Sequence, residues 1–228
     1  MKLLLLPEPK FISFAPGTFQ PAKPIRLFID HGMERPVFQT ALKLCRILND
    51  ELHVPASLDG QGRAHPAGNG HIHFVTETRG REESYRLAIT KDSIRITGRG
   101  PRGLFYGIQT LVQLFRDQGP CPPCLVIEDA PDYAHRGYYL DVSRGRVPTL
   151  TTLQRFAERL ASVKINQLQL YVEHAFDFKF DPDIGAGSSP LTPGEIIELD
   201  AFCRDRYIDL VPSMACFGHM GRVLSPPH

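Results

Sequence analysis

The 228-residue sequence has no excess of charge of either sign: 26 basic and 25 acidic residues are interleaved along it and leave a formal net charge of +1. A polyanion-binding surface needs clustered Lys and Arg, so nucleic acid is not an expected partner. Long apolar runs are missing as well. Met1-Lys2-Leu3-Leu4-Leu5-Leu6-Pro7 holds four leucines, but Pro7 ends the run far short of a signal-peptide core, and the segment reads instead as a first strand. Nothing approaches the roughly 18 apolar residues of a membrane span, so no membrane partner is expected. The five cysteines are odd in number and irregularly spaced, which fits a reduced, cytoplasmic compartment better than a disulfide framework. With 19 Gly and 20 Pro, many short connections are expected in place of a few long helices.

What is there is an ordinary globular composition, 42% hydrophobic and 22% charged, enough for one large domain or two modest ones. Residues 1–130 read as a small α+β domain. Ile25 to Ile29 and His71 to Val75 have strand patterning, and Tyr85 to Thr90 with Ser93 to Thr97 form a hairpin across Lys91-Asp92. The sheet is expected to be antiparallel or mixed. Val37, Ala41, Cys45 and Leu48 recur at helical spacing, as do Leu104, Ile108, Leu111, Val112 and Phe115, so two helices should cover one face of the sheet. Residues 54–70, rich in turn formers and without periodicity, read as a long surface loop. Gly119 to Pro131 reads as the domain linker, with one short strand at Leu125 to Glu128.

Residues 131–228 change pattern to strand, helix, strand, helix, strand. The strands are Gly137 to Val142, Gln167 to Val172 and Ile208 to Val211. A helix from Thr149 to Val163 carries the apolar stripe Leu150, Leu153, Phe156, Ala157 and Leu160. The second helix opens on a capping box, Thr192-Pro193-Gly194-Glu195, and should bury Ile196, Leu199 and Phe202. Such an order implies parallel strands. In the second strand Leu168, Leu170 and Val172 face one way and Gln167, Gln169, Tyr171 and Glu173 the other, whereas a strand inside an open doubly wound sheet would be apolar on both faces. The polar face suits the inside of a barrel. A complete (β/α)8 barrel takes about 250 residues, so the expected fold is an α+β domain followed by an incomplete TIM barrel of three strands.

Ligands of such barrels sit at the carboxyl ends of the strands. The candidates are Asp141, Ser143 and Arg144 after the first strand, Glu173 and His174 after the second, and Phe217-Gly218-His219-Met220 after the third. For Asp141 and Arg144 a structural ion pair and a substrate contact stand as equal alternatives. Three other motifs have plainer readings. Cys121-Pro122-Pro123-Cys124 lacks a second pair and a helix that would lower a thiol pKa. His71 and His73 share a strand face with no third ligand near, and read as a surface pair. Gly98-x-Gly100-x-x-Gly103 follows a hairpin rather than a βαβ unit, which argues against a dinucleotide. Neither a metal nor a cofactor is implied.

Four stretches carry a resemblance to glycoside hydrolase family 20, the β-N-acetylhexosaminidases: Gly103 to Leu111, Ile127 to Pro131, His135-Arg136-Gly137-Tyr138-Tyr139-Leu140-Asp141-Val142-Ser143-Arg144, and Lys164 to His174. They occur in the family's order over nearly the whole chain. The resemblance implies substrate-assisted hydrolysis of terminal β-linked amino-sugar glycosides, releasing N-acetylglucosamine, N-acetylgalactosamine or glucosamine. It matches Arg136 to an arginine that binds hydroxyls of the terminal sugar and His219 to a histidine that supports the acid/base carboxylate. The substrate-binding set is therefore Arg136, Asp141, Glu173, His174 and His219. Two departures stand out. His174 replaces a usual aspartate, in a Glu173-His174-Ala175-Phe176 version closer to exo-acting members. The family's Asp-Glu pair follows a fourth strand, which these residues do not include, so no catalytic residue is assigned and the chain is expected to be inactive alone. A non-catalytic binding or assembly module and one half of a split enzyme are the competing readings. Through the open edge of its third strand the chain is expected to self-associate or to accept a completing chain.

Overall fold

The computed structural model describes residues 3–29, 33–59, 69–77 and 80–224. Met1 and Lys2 of the expected first strand, and residues 60–68 of the expected loop, lie outside the described residues. The chain divides into two compact units, Met1–Ala134 and His135–His228.

The first unit contains strands β1 (Phe11–Thr18), β2 (Ile25–Ile29), β3 (Ala56–Asp59), β4 (His71–Thr76), β5 (Tyr85–Ile89), β6 (Ser93–Gly98) and β7 (Pro123–Asp129), with helices α1 (Arg35–Arg46) and α2 (Pro101–Gln118). They form one mixed seven-stranded sheet in the order β1-β7-β5-β6-β4-β2-β3. The β5–β6 hairpin is antiparallel, and β6, β4, β2 and β3 run parallel to one another. α2 begins on Pro101, whose missing N–H is no loss at a helix start, and stops at Gly119 with φ 73°. It packs on β5 and β6 and against α1. Leu104, Phe105, Ile108, Leu111, Val112 and Phe115 are buried there, each such side chain contributing roughly 1.5–3 kcal/mol.

Four expectations for this unit need correction. Leu3 to Pro7 form no strand; the first strand is β1, an exposed edge paired with β7. The expected loop contains β3, held by Asn49, whose amide donates to the Ala56 carbonyl at 2.9 Å and accepts from its N–H at 3.0 Å. The expected linker is largely β7, hydrogen-bonded between β1 and β5 inside the sheet. His71 and His73 are not a surface pair: His73 is 6% exposed and stacks on Phe28 at 5.1 Å, while His71 accepts from the Arg26 N–H at 3.2 Å. The glycine-rich stretch is a packing device. A Cβ on Gly98 would stand 2.3 Å from the Leu104 nitrogen, and one on Gly103 would stand 2.1 Å from the Ser84 carbonyl oxygen.

The second unit contains β8 (Gly137–Asp141), α3 (Leu150–Ser162), β9 (Gln167–Tyr171), α4 (Pro193–Arg204), β10 (Asp209–Ser213) and a last turn α5 (Gly221–Leu224). Its three strands are parallel in the order β10-β9-β8. Thr149 caps α3 by accepting from the Thr152 N–H at 3.3 Å. The Thr192–Glu195 capping box is fully formed on α4. That helix buries Leu199 and Cys203; Ile196 and Phe202 are only half-buried, a correction to the expected stripe, and Phe202 packs beneath the Arg206 guanidinium. The Asp209 N–H donates to the Asn166 carbonyl and the Ser213 carbonyl accepts from Val172, so Asp209, Val211 and Ser213 face β9 and the backbone of Leu210 and Pro212 faces away from it.

Candidate functional site

Register decides which side chains meet in the second unit. Asp141, Tyr171 and Ser213 are opposite one another in neighbouring strands, at the carboxyl ends. Tyr139 and Gln169, two residues earlier, share their face by the period of two. The other face carries Tyr138, which packs edge-on against Phe156 of α3 at 5.0 Å. The helix side is therefore apolar, and the opposite side is polar and aromatic.

Arg144 is the hub of that polar side. Its Nη1 pairs with Asp141 Oδ2, and its Nη2 donates to Glu173 Oε1 at 3.0 Å and lies 3.2 Å from His219 Nδ1. The guanidinium sits 5.4 Å from the centre of the Tyr171 ring. Tyr171 donates its hydroxyl to the same Glu173 oxygen at 2.8 Å, and the Tyr139 hydroxyl is 3.3 Å from Ser213 Oγ. One cation thus ties together segments that follow all three strands. These groups line an open concavity of about 420 Å³, formed by Tyr139, Asp141, Arg144, Tyr171, Ser213 and His219 with their neighbours.

The electrostatics follow from these contacts. Partial burial pushes the Asp141 carboxyl up, but hydrogen bonds from the Ser143 hydroxyl (2.7 Å) and amide (2.9 Å) and from Arg144 outweigh it and hold the carboxyl below its ordinary range. Arg144 is pushed up, first by its bond to Asp141. Burial and the bond to Glu173 raise the Tyr171 phenol. His219 adopts φ 57°, a left-handed conformation that costs a non-glycine residue on the order of 1–3 kcal/mol and turns up preferentially at functional sites.

Of the five candidates, the structure brings Asp141, Glu173 and His219 together. His174 follows Glu173 but is buried, 8% exposed, with Nδ1 lacking a hydrogen-bond partner; burial and nearby Arg222 lower its pKa. Arg136 is at the other end of β8, where its Nε donates to the Lys164 carbonyl at 2.8 Å and its backbone N–H to Asn166 Oδ1 at 2.8 Å. Sequence reasoning left Arg144 undecided and missed Tyr139 and Ser213. The signal was available in the register, since Asp141, Tyr171 and Ser213 close three parallel strands. Among the described residues no group of three or more His, Cys, Asp or Glu is placed to hold a metal, and no helix is long and apolar enough to cross a membrane.

A seven-stranded mixed α/β unit followed by a parallel β-α-β-α-β unit, with polar groups gathered at the carboxyl ends, defines a two-unit α/β protein. The family model for glycosyl hydrolase family 20, domain 2, matches residues 2–130. The chain belongs to that family. Similar proteins include a β-hexosaminidase of Akkermansia muciniphila, 29% identical over 158 residues, covering 60% of this chain and 32% of the relative. A β-hexosaminidase of Porphyromonas gingivalis is 26% identical over 204 residues, covering 77% of this chain and 26% of the relative. The chain thus spans about a third or less of these curated relatives. Among solved structures, a Flavobacterium johnsoniae chitobiase superposes with a TM-score of 0.81 at 24% identity, over 96% of this chain and 36% of that one. A Bacteroides fragilis β-N-acetylhexosaminidase gives 0.77 at 23%, over 97% and 47%. At such identities these two structures speak for the fold alone.

Proposed function

We propose that the chain is the front portion of a β-hexosaminidase-type glycoside hydrolase, its second unit supplying the first three strands of an incomplete (β/α)8 barrel. The completed enzyme releases terminal β-linked N-acetylglucosamine, N-acetylgalactosamine or glucosamine by substrate-assisted retaining hydrolysis. The observation that carries this reading is the charged cluster on the polar face, at the carboxyl ends of three parallel strands. A sugar is held by fixed donors and acceptors together with an aromatic face. Asp141 and Glu173 offer carboxylate oxygens, Arg144 and His219 offer ring and guanidinium nitrogens, and Tyr139 and Tyr171 offer ring surface. His174 contributes through its buried, unsatisfied Nδ1. Arg136 joins the set when its side chain leaves the Lys164 carbonyl and turns along the interior.

The chemistry needs an acid carboxylate and an aspartate that orients the acetamido group, and in this reading both follow a fourth strand outside these 228 residues. General acid catalysis contributes about 10²–10⁴-fold, so the chain alone carries no useful turnover. The free edge of β10 and the adjoining apolar groove of about 610 Å³, lined by Ile196, Ile197, Leu210, Pro212 and Met214, receive a completing segment or a second copy. Five free thiols fit a reducing, cytoplasmic setting. The test is an assay of the purified chain on a chromogenic N-acetyl-β-glucosaminide, alone and fused to the remainder of the Akkermansia relative. No turnover alone and turnover in the fusion, lost with Asp141→Ala, is expected. Turnover by the chain alone that vanishes with His219→Ala would overturn the inactivity, and a silent, folded fusion would overturn the hydrolase reading.

A further inference from the structure

We infer that Arg144 is a positioning residue that fixes neutral His219 as its Nε2–H tautomer, so that the histidine offers the cavity a donor rather than a lone pair. A guanidinium has five N–H groups and no acceptor. Its Nη2 lies 3.2 Å from His219 Nδ1, and that contact is a hydrogen bond only when Nδ1 carries a lone pair. The ring proton then belongs on Nε2. In histidine generally, the bond made by one ring nitrogen decides which tautomer the other presents.

The geometry leaves Arg144 little freedom to adapt to the opposite tautomer. Nη1 is taken by Asp141 after β8, and Nη2 by Glu173 after β9. Glu173 is itself fixed by the Tyr171 hydroxyl at 2.8 Å, with its side chain 13% exposed, and the guanidinium carbon lies 5.4 Å from the centre of the Tyr171 ring. Nη2 carries two hydrogens, one for Glu173 and one for His219, so the donor count closes without a spare. An Nδ1–H would face a guanidinium nitrogen that has no lone pair to accept it.

His219 lines the concavity, so its Nε2–H is the donor available to a bound ligand, and the matching group on that ligand is an oxygen acceptor. Only the identity of that oxygen, a sugar hydroxyl or carbonyl, rests on the hydrolase reading. The tautomer itself needs no substrate, and its test is independent of whether the chain or its fusion hydrolyses anything.

The experiment is a long-range proton–nitrogen correlation through the imidazole C–H groups of the uniformly ¹⁵N-labelled full chain, at a pH where the ring is neutral. His219→Gln identifies the signals among the nine histidines. The wild type should show His219 almost wholly as Nε2–H. Arg144→Met should raise the Nδ1–H share by roughly tenfold, the ratio governed by one charge-assisted hydrogen bond. A wild-type Nδ1–H pattern overturns the assignment, and so does a tautomer ratio that Arg144→Met leaves unchanged in a protein with native amide dispersion. If Arg144→Met does not fold, Arg144→Gln takes its place: a raised Nδ1–H share upholds the inference, and an unchanged ratio or a wild-type Nδ1–H pattern sinks it.

Discussion

Alanine at Gly103 and alanine at Gly194 should move stability in opposite directions, although both glycines sit in the first turn of a helix. In an ordinary helix the replacement of Gly by Ala is favourable by about 0.5–1 kcal/mol, through propensity and a less flexible unfolded chain. At Gly194 a Cβ would meet only Thr192 Oγ1, at 3.9 Å, and the gain should appear in full. At Gly103 the same atom would stand 2.1 Å from the Ser84 carbonyl oxygen and 2.9 Å from that of Glu82. Both obstacles are backbone, so relief requires moving the start of α2 away from the 82–84 turn. That movement stretches the Gly103 N–H bond to the Glu82 carbonyl, now 3.0 Å. Overpacking of this kind costs about 1–3 kcal/mol, and one weakened backbone hydrogen bond about another 1. Subtracting the propensity gain leaves a loss of roughly 1–3 kcal/mol. Urea unfolding followed by circular dichroism on the full chain measures both. If Gly103→Ala is as stable as the parent, or gains like Gly194→Ala, close approach is not the reason for glycine here and the packing reading of the Gly98-x-Gly100-x-x-Gly103 stretch is wrong.

Tyr85→Phe should cost about 1–2 kcal/mol in the same urea series, because the buried hydroxyl that contacts Thr110 Oγ1 at 2.7 Å and Asp129 Oδ2 at 3.1 Å is removed; an unchanged midpoint would show that those groups find water instead. Asp141 has a folded pKa below its unfolded value of about 3.9, so its contribution is complete above that value and is lost as the pH falls through the lower folded one. Asp141→Asn should therefore flatten the acid limb of the stability–pH curve, by a modest amount because the pair is partly solvated, and superimposable limbs would refute this.

Segments whose structure is set by near neighbours were legible in the sequence. The β5–β6 hairpin, the Thr192–Glu195 box and the alternation in β9 each depend on residues within a few positions of one another. β1 and β3 were not legible. β1 is exposed along nearly its whole length, so it has no hydrophobic alternation to detect, and it exists because β7, more than a hundred residues later, pairs with it. β3 has four residues and is secured by Asn49, a side-chain device that leaves no periodic trace. At the candidate site, Asp141, Glu173 and His219 could be named from their places after the strands. The alternatives of ion pair and ligand contact for Arg144 could not be separated, because the same guanidinium forms the ion pair and lines the concavity.

Pro212 gives the open side of β10 a selective character. Leu210 and Pro212 are the two positions of that strand whose backbone turns outward, and proline has no N–H to offer. The exposed rim thus presents two carbonyls and a single amide, a pattern that acts like a notched key. An arriving strand completes its ladder only in the alignment that supplies N–H groups to both carbonyls and sets no acceptor against the proline. Strands in other alignments, including those met by chance in a crowded solution, lose a bond at the notch. The same residue that leaves the rim incomplete therefore discourages indiscriminate pairing along it.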